Sequence, residues 1–204
     1  MKKIPIVVCT VGSPCLEVMK ASIQTYAPDH PLIVHKGAET NFGDAYNMAM
    51  RHKFTEYDEI IIANDDIVLK PDSYELLLAD VKKLKGLVGD KLGFVAAKSD
   101  DVRGCQHIRM TEPGKVYASE AVSPLFAWIS KKAFQEAQFP PTNWFSDDVM
   151  CKDLSKLGYE HFVSRSYIHH VGSQTVGMDF QKLMDGPKDW IKTNRPDYYE
   201  EWYA

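Results

Sequence analysis

Glu59-Ile60-Ile61-Ile62-Ala63-Asn64-Asp65-Asp66 runs from four consecutive apolar residues straight into two carboxylates. Three adjacent β-branched residues without polar alternation predict a strand covered on both faces, as in a parallel sheet flanked by helices. Two aspartates side by side at the mouth of such a sheet repel each other, and desolvation adds to the cost. A bound cation removes that cost, and Mg2+ and Mn2+ favour carboxylate oxygens together with a substrate's phosphates. The alternative is the solvated start of a loop. Because residues alternate across a strand, Asp65 and Asp66 are expected to point in different directions, with Asp66 the first choice for the metal.

Working outward, residues 4–9 read as a buried strand followed by the turn Thr10-Val11-Gly12-Ser13-Pro14. Ser13 suits a helix N-cap and Pro14 the first helical position, with Leu16, Met19, Ile23 and Tyr26 as the apolar stripe. Residues 31–35 form a short strand and residues 43–54 a helix. Pro71 opens another helix, with Gly86 as its stop, and residues 92–97 are again a buried strand. Strand–helix alternation over about the first 100 residues implies βα units in a mostly parallel sheet. Residues 99–123 are polar and irregular. Beyond them come a strand at 125–129, helices at 131–137 and 146–157, and short strands at 159–163 and 167–170. The expected architecture is an α/β three-layer sandwich whose first half resembles a nucleotide-binding half-fold. Ligands of such sheets sit beyond the carboxyl ends of the strands, where Thr10, Val11 and Asn64 to Asp66 fall.

The chain has 204 residues, which suits one domain, and 45% hydrophobic against 25% charged residues is the balance of a globular protein. A net charge of −4 argues against tight nucleic-acid binding through bulk charge. No apolar run approaches the ~20 residues that span a bilayer. Cys9, Cys15, Cys105 and Cys151 lack paired spacing and predict reduced thiols in a cytoplasmic protein.

Three blocks resemble a known family. Asn41-Phe42-Gly43-Asp44-Ala45-Tyr46-Asn47, then the quoted strand, then Leu69-Lys70-Pro71-Asp72, resembles the inverting family-two glycosyltransferases of the GT-A fold. Asn64-Asp65-Asp66 would be a degenerate form of their DxD motif. Phe145-Ser146-Asp147-Asp148, followed by Lys156-Leu157-Gly158-Tyr159, is similar to the acidic acceptor-side motif, with Asp147 at the position of the catalytic base and Asp148 one residue off. His169-His170-Val171-Gly172-Ser173 resembles a His-x-Gly-Ser element that assists the metal or diphosphate, and His170 fits its spacing better than His169. Asp153 departs from the family, which has a basic residue there. The resemblance spans about residues 4–175 and implies a GT-A-like catalytic domain over residues 1–175, with residues 176–204 a tail packed on it or on a partner.

What the resemblance implies is transfer of a sugar, with inversion, from a nucleotide diphosphate donor (a UDP-sugar first) to an acceptor hydroxyl. Asp147, with Asp148 beside it, would accept the proton. Mn2+ or Mg2+ held by Asp66 and His170, with His169 as the alternative ligand, would stabilise the leaving diphosphate. Thr10, Val11, Glu39, Asn41, Asn47, Asn64 and Asp65 would hold the donor's nucleoside and sugar. For Asp147 and Asp148 the other reading is plain N-capping. A saccharide, a small molecule, a lipid-linked glycan, a protein or a modified nucleobase remain open as acceptor. The competing functions are a metal-dependent nucleotidyltransferase, disfavoured because residues 10–14 lack a basic residue, and a non-catalytic binder of nucleotide sugars or carbohydrates.

Overall fold

The computed structural model describes residues 3–36, 41–172 and 180–203. Eight strands form one sheet: β1 (Ile6–Thr10), β2 (Leu32–Lys36), β3 (Glu59–Ala63), β4 (Ile67–Leu69), β5 (Leu92–Ser99), β6 (Tyr117–Ser119), β7 (Phe126–Ser130) and β8 (Glu160–His170). Their order is β2-β1-β3-β7-β5-β8-β4, with β6 also on β8. β1 is parallel to β2 and β3, and β5 to β8, while β7 runs antiparallel between β3 and β5. Five strands therefore share one direction, and β4, β6 and β7 oppose it. The carboxyl ends of β1, β2, β3, β5 and β8 meet along a single edge.

The period-two alternation of a strand sorts its side chains between two cores. On one face Val7, Ile60, Ile62, Phe94 and Ala127 pack with Tyr46 and Met50 of α2 (Phe42–Lys53) and Met150 and Leu154 of α5 (Ser146–Lys156). On the other, Ile6, Val8, Ile61, Val95 and Trp128 pack with Met19 and Ile23 of α1 (Leu16–Tyr26) and Leu77 and Val81 of α3 (Ser73–Val88). All of Ile60 to Ala63 is at 0% exposure, as the apolar run requires. Each buried isoleucine contributes roughly 1.5–3 kcal/mol.

The local readings needed several corrections. Ser13 is not the N-cap: its Oγ accepts from the Cys15 amide in a turn, and α1 begins after Cys15. Gly86 does not stop α3, which runs on to Gly89 at φ 60°. β8 is one strand of 11 residues rather than two, because the polar middle that looked like a break finds buried partners. Arg165 pairs with Asp80 at 2.7 Å, and the Ser166 hydroxyl donates to the Ser73 carbonyl at 2.6 Å. The short α4 (Lys131–Glu136) is capped by Ser130, whose Oγ accepts from the Ala133 amide. Beyond it the chain ends in α6 (Phe180–Asn194) and α7 (Pro196–Tyr203), which pack on α5 through Ile191, Tyr198 and Val149. No helix among the described residues is long and apolar enough to cross a membrane.

Candidate active site

The shared carboxyl edge collects the acidic residues. β3 ends at Ala63, whose carbonyl accepts from the Tyr46 hydroxyl at 2.7 Å, and the Asn64 amide donates to the Leu125 carbonyl at 2.9 Å. Asp65 and Asp66 are 5% and 3% exposed and do face different ways. Asp65 accepts a short hydrogen bond from the Thr10 hydroxyl at the end of β1. Thr10 Oγ1 in turn accepts from the Gly12 amide at 3.0 Å, so the turn after β1 is tied to the β3 end. Burial raises the Asp65 carboxyl above its usual range and the Asp66 charge adds to this, while the Thr10 bond opposes it.

Asp66 faces His170 instead. β4 pairs with β8 so that Ile67 lies opposite His170, which brings its Nε2 to 3.2 Å from Asp66 Oδ1. Oδ1 is buried, and apart from this ion-pair contact it has no hydrogen-bond partner. His170 Nδ1 lies 2.8 Å from the Asp101 carbonyl, which orients the ring. Burial works against its positive form, but Asp66 and Asp101 carry its pKa net upward. His169 points elsewhere and pairs with Asp100. Although burial disfavours the Asp100 charge, the His170 amide and the His169 ring hold that carboxyl at about 2. No group of three or more His, Cys, Asp or Glu placed to hold a metal ion occurs among the described residues. Asp66 with His170 thus supplies at most two ligands of its own, a set that suits Mg2+ or Mn2+ completed by substrate phosphates and water.

The second acidic pair sits in the first turn of α5. Phe145 precedes it in the left-handed conformation, φ 60° and ψ 6°, a strain of roughly 1–3 kcal/mol for a non-glycine residue. The Ser146 hydroxyl anchors the turn by donating to the Pro140 carbonyl at 2.9 Å. Gly43 of α2 packs so closely there that a Cβ would overlap the Pro140 carbonyl oxygen. Phe145 at the N-cap makes no side-chain cap, and Asp147 and Asp148 lie in the first turn. Their side chains are 18% and 14% exposed. Asp148 forms a close ion pair with Arg103, whose guanidinium lies 3.9 Å from Asp147. Burial first, then the Asp148 charge, pushes Asp147 up to about 6, against the pull of Arg103 and Ser123.

The two acidic pairs are linked by the loop after β5. Asp100 and Asp101 engage the histidines, and Arg103 engages Asp148. Asp101 and Arg103 are two residues apart, a backbone span of at most about 7 Å. The loop is held by Gln106, whose amide nitrogen donates to the carbonyls of Ala97 and Ser123, each at 2.8 Å, and whose oxygen accepts from the Ser123 amide at 2.9 Å.

Asn41 and Asn47, both expected to hold the donor, have partners within the chain. Asn41 caps α2, its Oδ1 accepting from the Asp44 amide at 2.9 Å. Asn47 is buried with both ends of its amide bonded to the Phe139 backbone, at 2.8 and 3.1 Å. Val11 is 58% exposed beside Thr10, and Glu39 lies outside the described residues. Trp128 is a core residue whose indole donates to Glu59 at the other end of β3. Arg103, Asp100 and Asp101 were not anticipated. Their signal was the Ser99-Asp100-Asp101 run directly after a buried strand, a ligand position in such sheets. A cavity of about 650 Å3 involving Gln138, Asp153, Trp190 and Arg195, and another of about 440 Å3 at Glu59, Lys85 and Trp128, are lined by none of these acidic site residues. Arg195 supplies a bidentate partner to Asp153, at 2.9 and 3.2 Å.

No protein-family model matches the chain, and no curated protein matches it by sequence. Solved structures do. The glycosyltransferase GalNAc-T7, solved with UDP, GalNAc and Mn2+, superposes with TM-score 0.61 at 11% identity over 82% of this chain and 43% of its own. S. aureus TarS 1-349 in complex with UDP-GlcNAc gives TM-score 0.56 at 14% identity, covering 93% of this chain and 66% of its own. A197 from STIV gives TM-score 0.58 at 11% identity, with 84% and 87% covered. The chain thus spans less than half of GalNAc-T7 and about two thirds of the TarS fragment. Its three-layer α/β sandwich has the GT-A-like fold of these glycosyltransferases.

Proposed function

We propose that this protein is an inverting glycosyltransferase that moves a sugar from a UDP-sugar to an acceptor hydroxyl, with a divalent cation at Asp66 and His170. The observation that carries the reading is the buried Asp66–His170 pair, Oδ1 at 3.2 Å from Nε2, on the strand edge where α/β sheets take their ligands. The fold neighbours solved with UDP and Mn2+, or with UDP-GlcNAc, support the donor class. A cation bound there supplies charge neutralisation to the departing diphosphate. In this reading Asp65, held by Thr10, takes a donor hydroxyl, with Asn64 and Val11 on the same edge.

Asp147 accepts the acceptor's proton. The acceptor oxygen bonds to the anomeric carbon as the carbon–oxygen bond to the diphosphate breaks, and that electron pair leaves on UDP. An acid held at about 6 is ionised at neutral pH yet basic enough to take a proton in the transition state. The expected domain of residues 1–175 would carry this chemistry, with α6 and α7 packed on α5 through Ile191 and Tyr198.

The test is a panel of UDP-sugars with and without Mn2+, following thermal midpoint and UDP release. UDP with Mn2+ should raise the midpoint, and EDTA should cancel the rise. Release of pyrophosphate, or UDP binding that ignores both Mn2+ and Asp66→Asn, would overturn the reading.

A further inference from the structure

Arg103 is the one cation in contact with both α5 carboxylates among the described residues, and its geometry treats them unequally. It closes on Asp148 and stands 3.9 Å from Asp147. Two neighbouring carboxylates cannot both ionise freely, so whichever is paired becomes the fixed anion and the other keeps the mobile proton. The loop that brings Arg103 is not loose at this point, since buried Gln106 fastens it to Ala97 and Ser123. Ser123 is also the hydroxyl that hydrogen-bonds Asp147. We propose that Arg103 is a positioning residue that commits Asp148 to an ion pair and so leaves Asp147 as the carboxylate that exchanges a proton with the acceptor.

This rests on the glycosyltransferase reading for its functional meaning, but the assignment of the pair can be measured without catalysis. The groups acting on the pair are Arg103 from the loop, Ser123 before β7, Cys151 one turn along α5, and Tyr203 from α7. Cys151 is held protonated by burial, and Tyr203 is raised by burial and by Asp148, so neither adds charge near neutral pH. Arg103 is the lever that remains.

The experiment is a carboxyl-carbon NMR titration of aspartate-labelled full-length protein, with the Asp147 signal assigned by its loss in Asp147→Asn. Arg103→Met removes the attraction and should raise the Asp147 midpoint by about one unit, since an exposed guanidinium at this range acts at the weak end of ion-pair shifts. Asp148→Asn removes the repulsion, frees Arg103 for Asp147, and should lower the midpoint. Arg103→Lys keeps the charge and should restore most of the wild-type value. A merely structural Arg103 would shift none of these in opposite directions. Unmoved or same-direction midpoints in folded Arg103→Met and Asp148→Asn overturn the proposal. Should Arg103→Met fail to fold, a midpoint in Asp148→Asn that does not fall overturns it alone. Opposed shifts without UDP release in any variant would uphold the pairing while the glycosyltransferase reading failed.

Discussion

Asn47→Ala separates a residue that builds the site from one that touches ligand. The Asn47 side chain donates to the Phe139 carbonyl at 2.8 Å and accepts from the Phe139 amide at 3.1 Å, with the residue 5% exposed. Truncation orphans a buried backbone N–H and C=O together. At roughly 1–3 kcal/mol per group, the expected loss is about 2–6 kcal/mol. Against a total stability of about 5–15 kcal/mol this is large but leaves a folded protein to measure. With a urea m-value of about 2 kcal/mol/M, the midpoint should fall by about 1–3 M. Asn47→Asp sets a buried carboxylate oxygen against the Phe139 carbonyl, so it should cost at least as much as the alanine variant. Equilibrium urea unfolding followed by fluorescence and circular dichroism measures the loss. Calorimetric titration of UDP with Mn2+ into the folded variant should give nearly the wild-type affinity. An unchanged unfolding midpoint with weakened UDP binding would refute the reasoning and return Asn47 to the donor site.

Three further outcomes are expected. Wild-type kcat/KM for UDP-sugar turnover should rise with pH through about 6, falling to about one tenth at pH 5, and Asp147→Asn should lose about 10²–10⁴-fold while still binding UDP. Gly43→Ala would drive a methyl group into the Pro140 carbonyl oxygen, so thermal denaturation should show a severe loss, with the Asp147 turn disturbed. His161 is buried, accepts from the Phe94 amide at 3.0 Å and has its pKa lowered by desolvation. The unfolded chain then binds a proton that the native state refuses, so this stability is complete above about pH 6.5 and lost as pH falls through it. Asp147, shifted the other way, gains stability in the acid range. The difference in urea midpoint between wild type and His161→Gln across pH 7.5 to 5 isolates the His161 contribution, and a pH-independent difference would refute it.

Much of the site was legible because its elements are local. Ile60 to Ala63 announced a doubly covered strand, and the aspartates after it had to lie at the strand edge. The His-x-Gly-Ser resemblance favoured His170 over His169, and His170 is the one that meets Asp66 while His169 pairs with Asp100. The polar Ser164-Arg165-Ser166 stretch was misread as a break because its partners, Asp80 and Ser73, are 85 and 93 residues away along the chain. The same blindness hid Arg103 from Asp148, at a separation of 45 residues, and Asp100 from His169, at 69.

The amino-acid sequence by itself determined the alternation of burial, and with it the three layers and the edge that bears the carboxylates. Side-chain periodicity is a property of neighbouring residues and needs no tertiary information. Only the tertiary structure decided that Asp66 meets His170, that Asn47 serves Phe139, and that Arg103 takes Asp148 while burial lifts Asp147. Those outcomes depend on distance and desolvation between segments far apart in the chain, and both are set only when the loops close on one another.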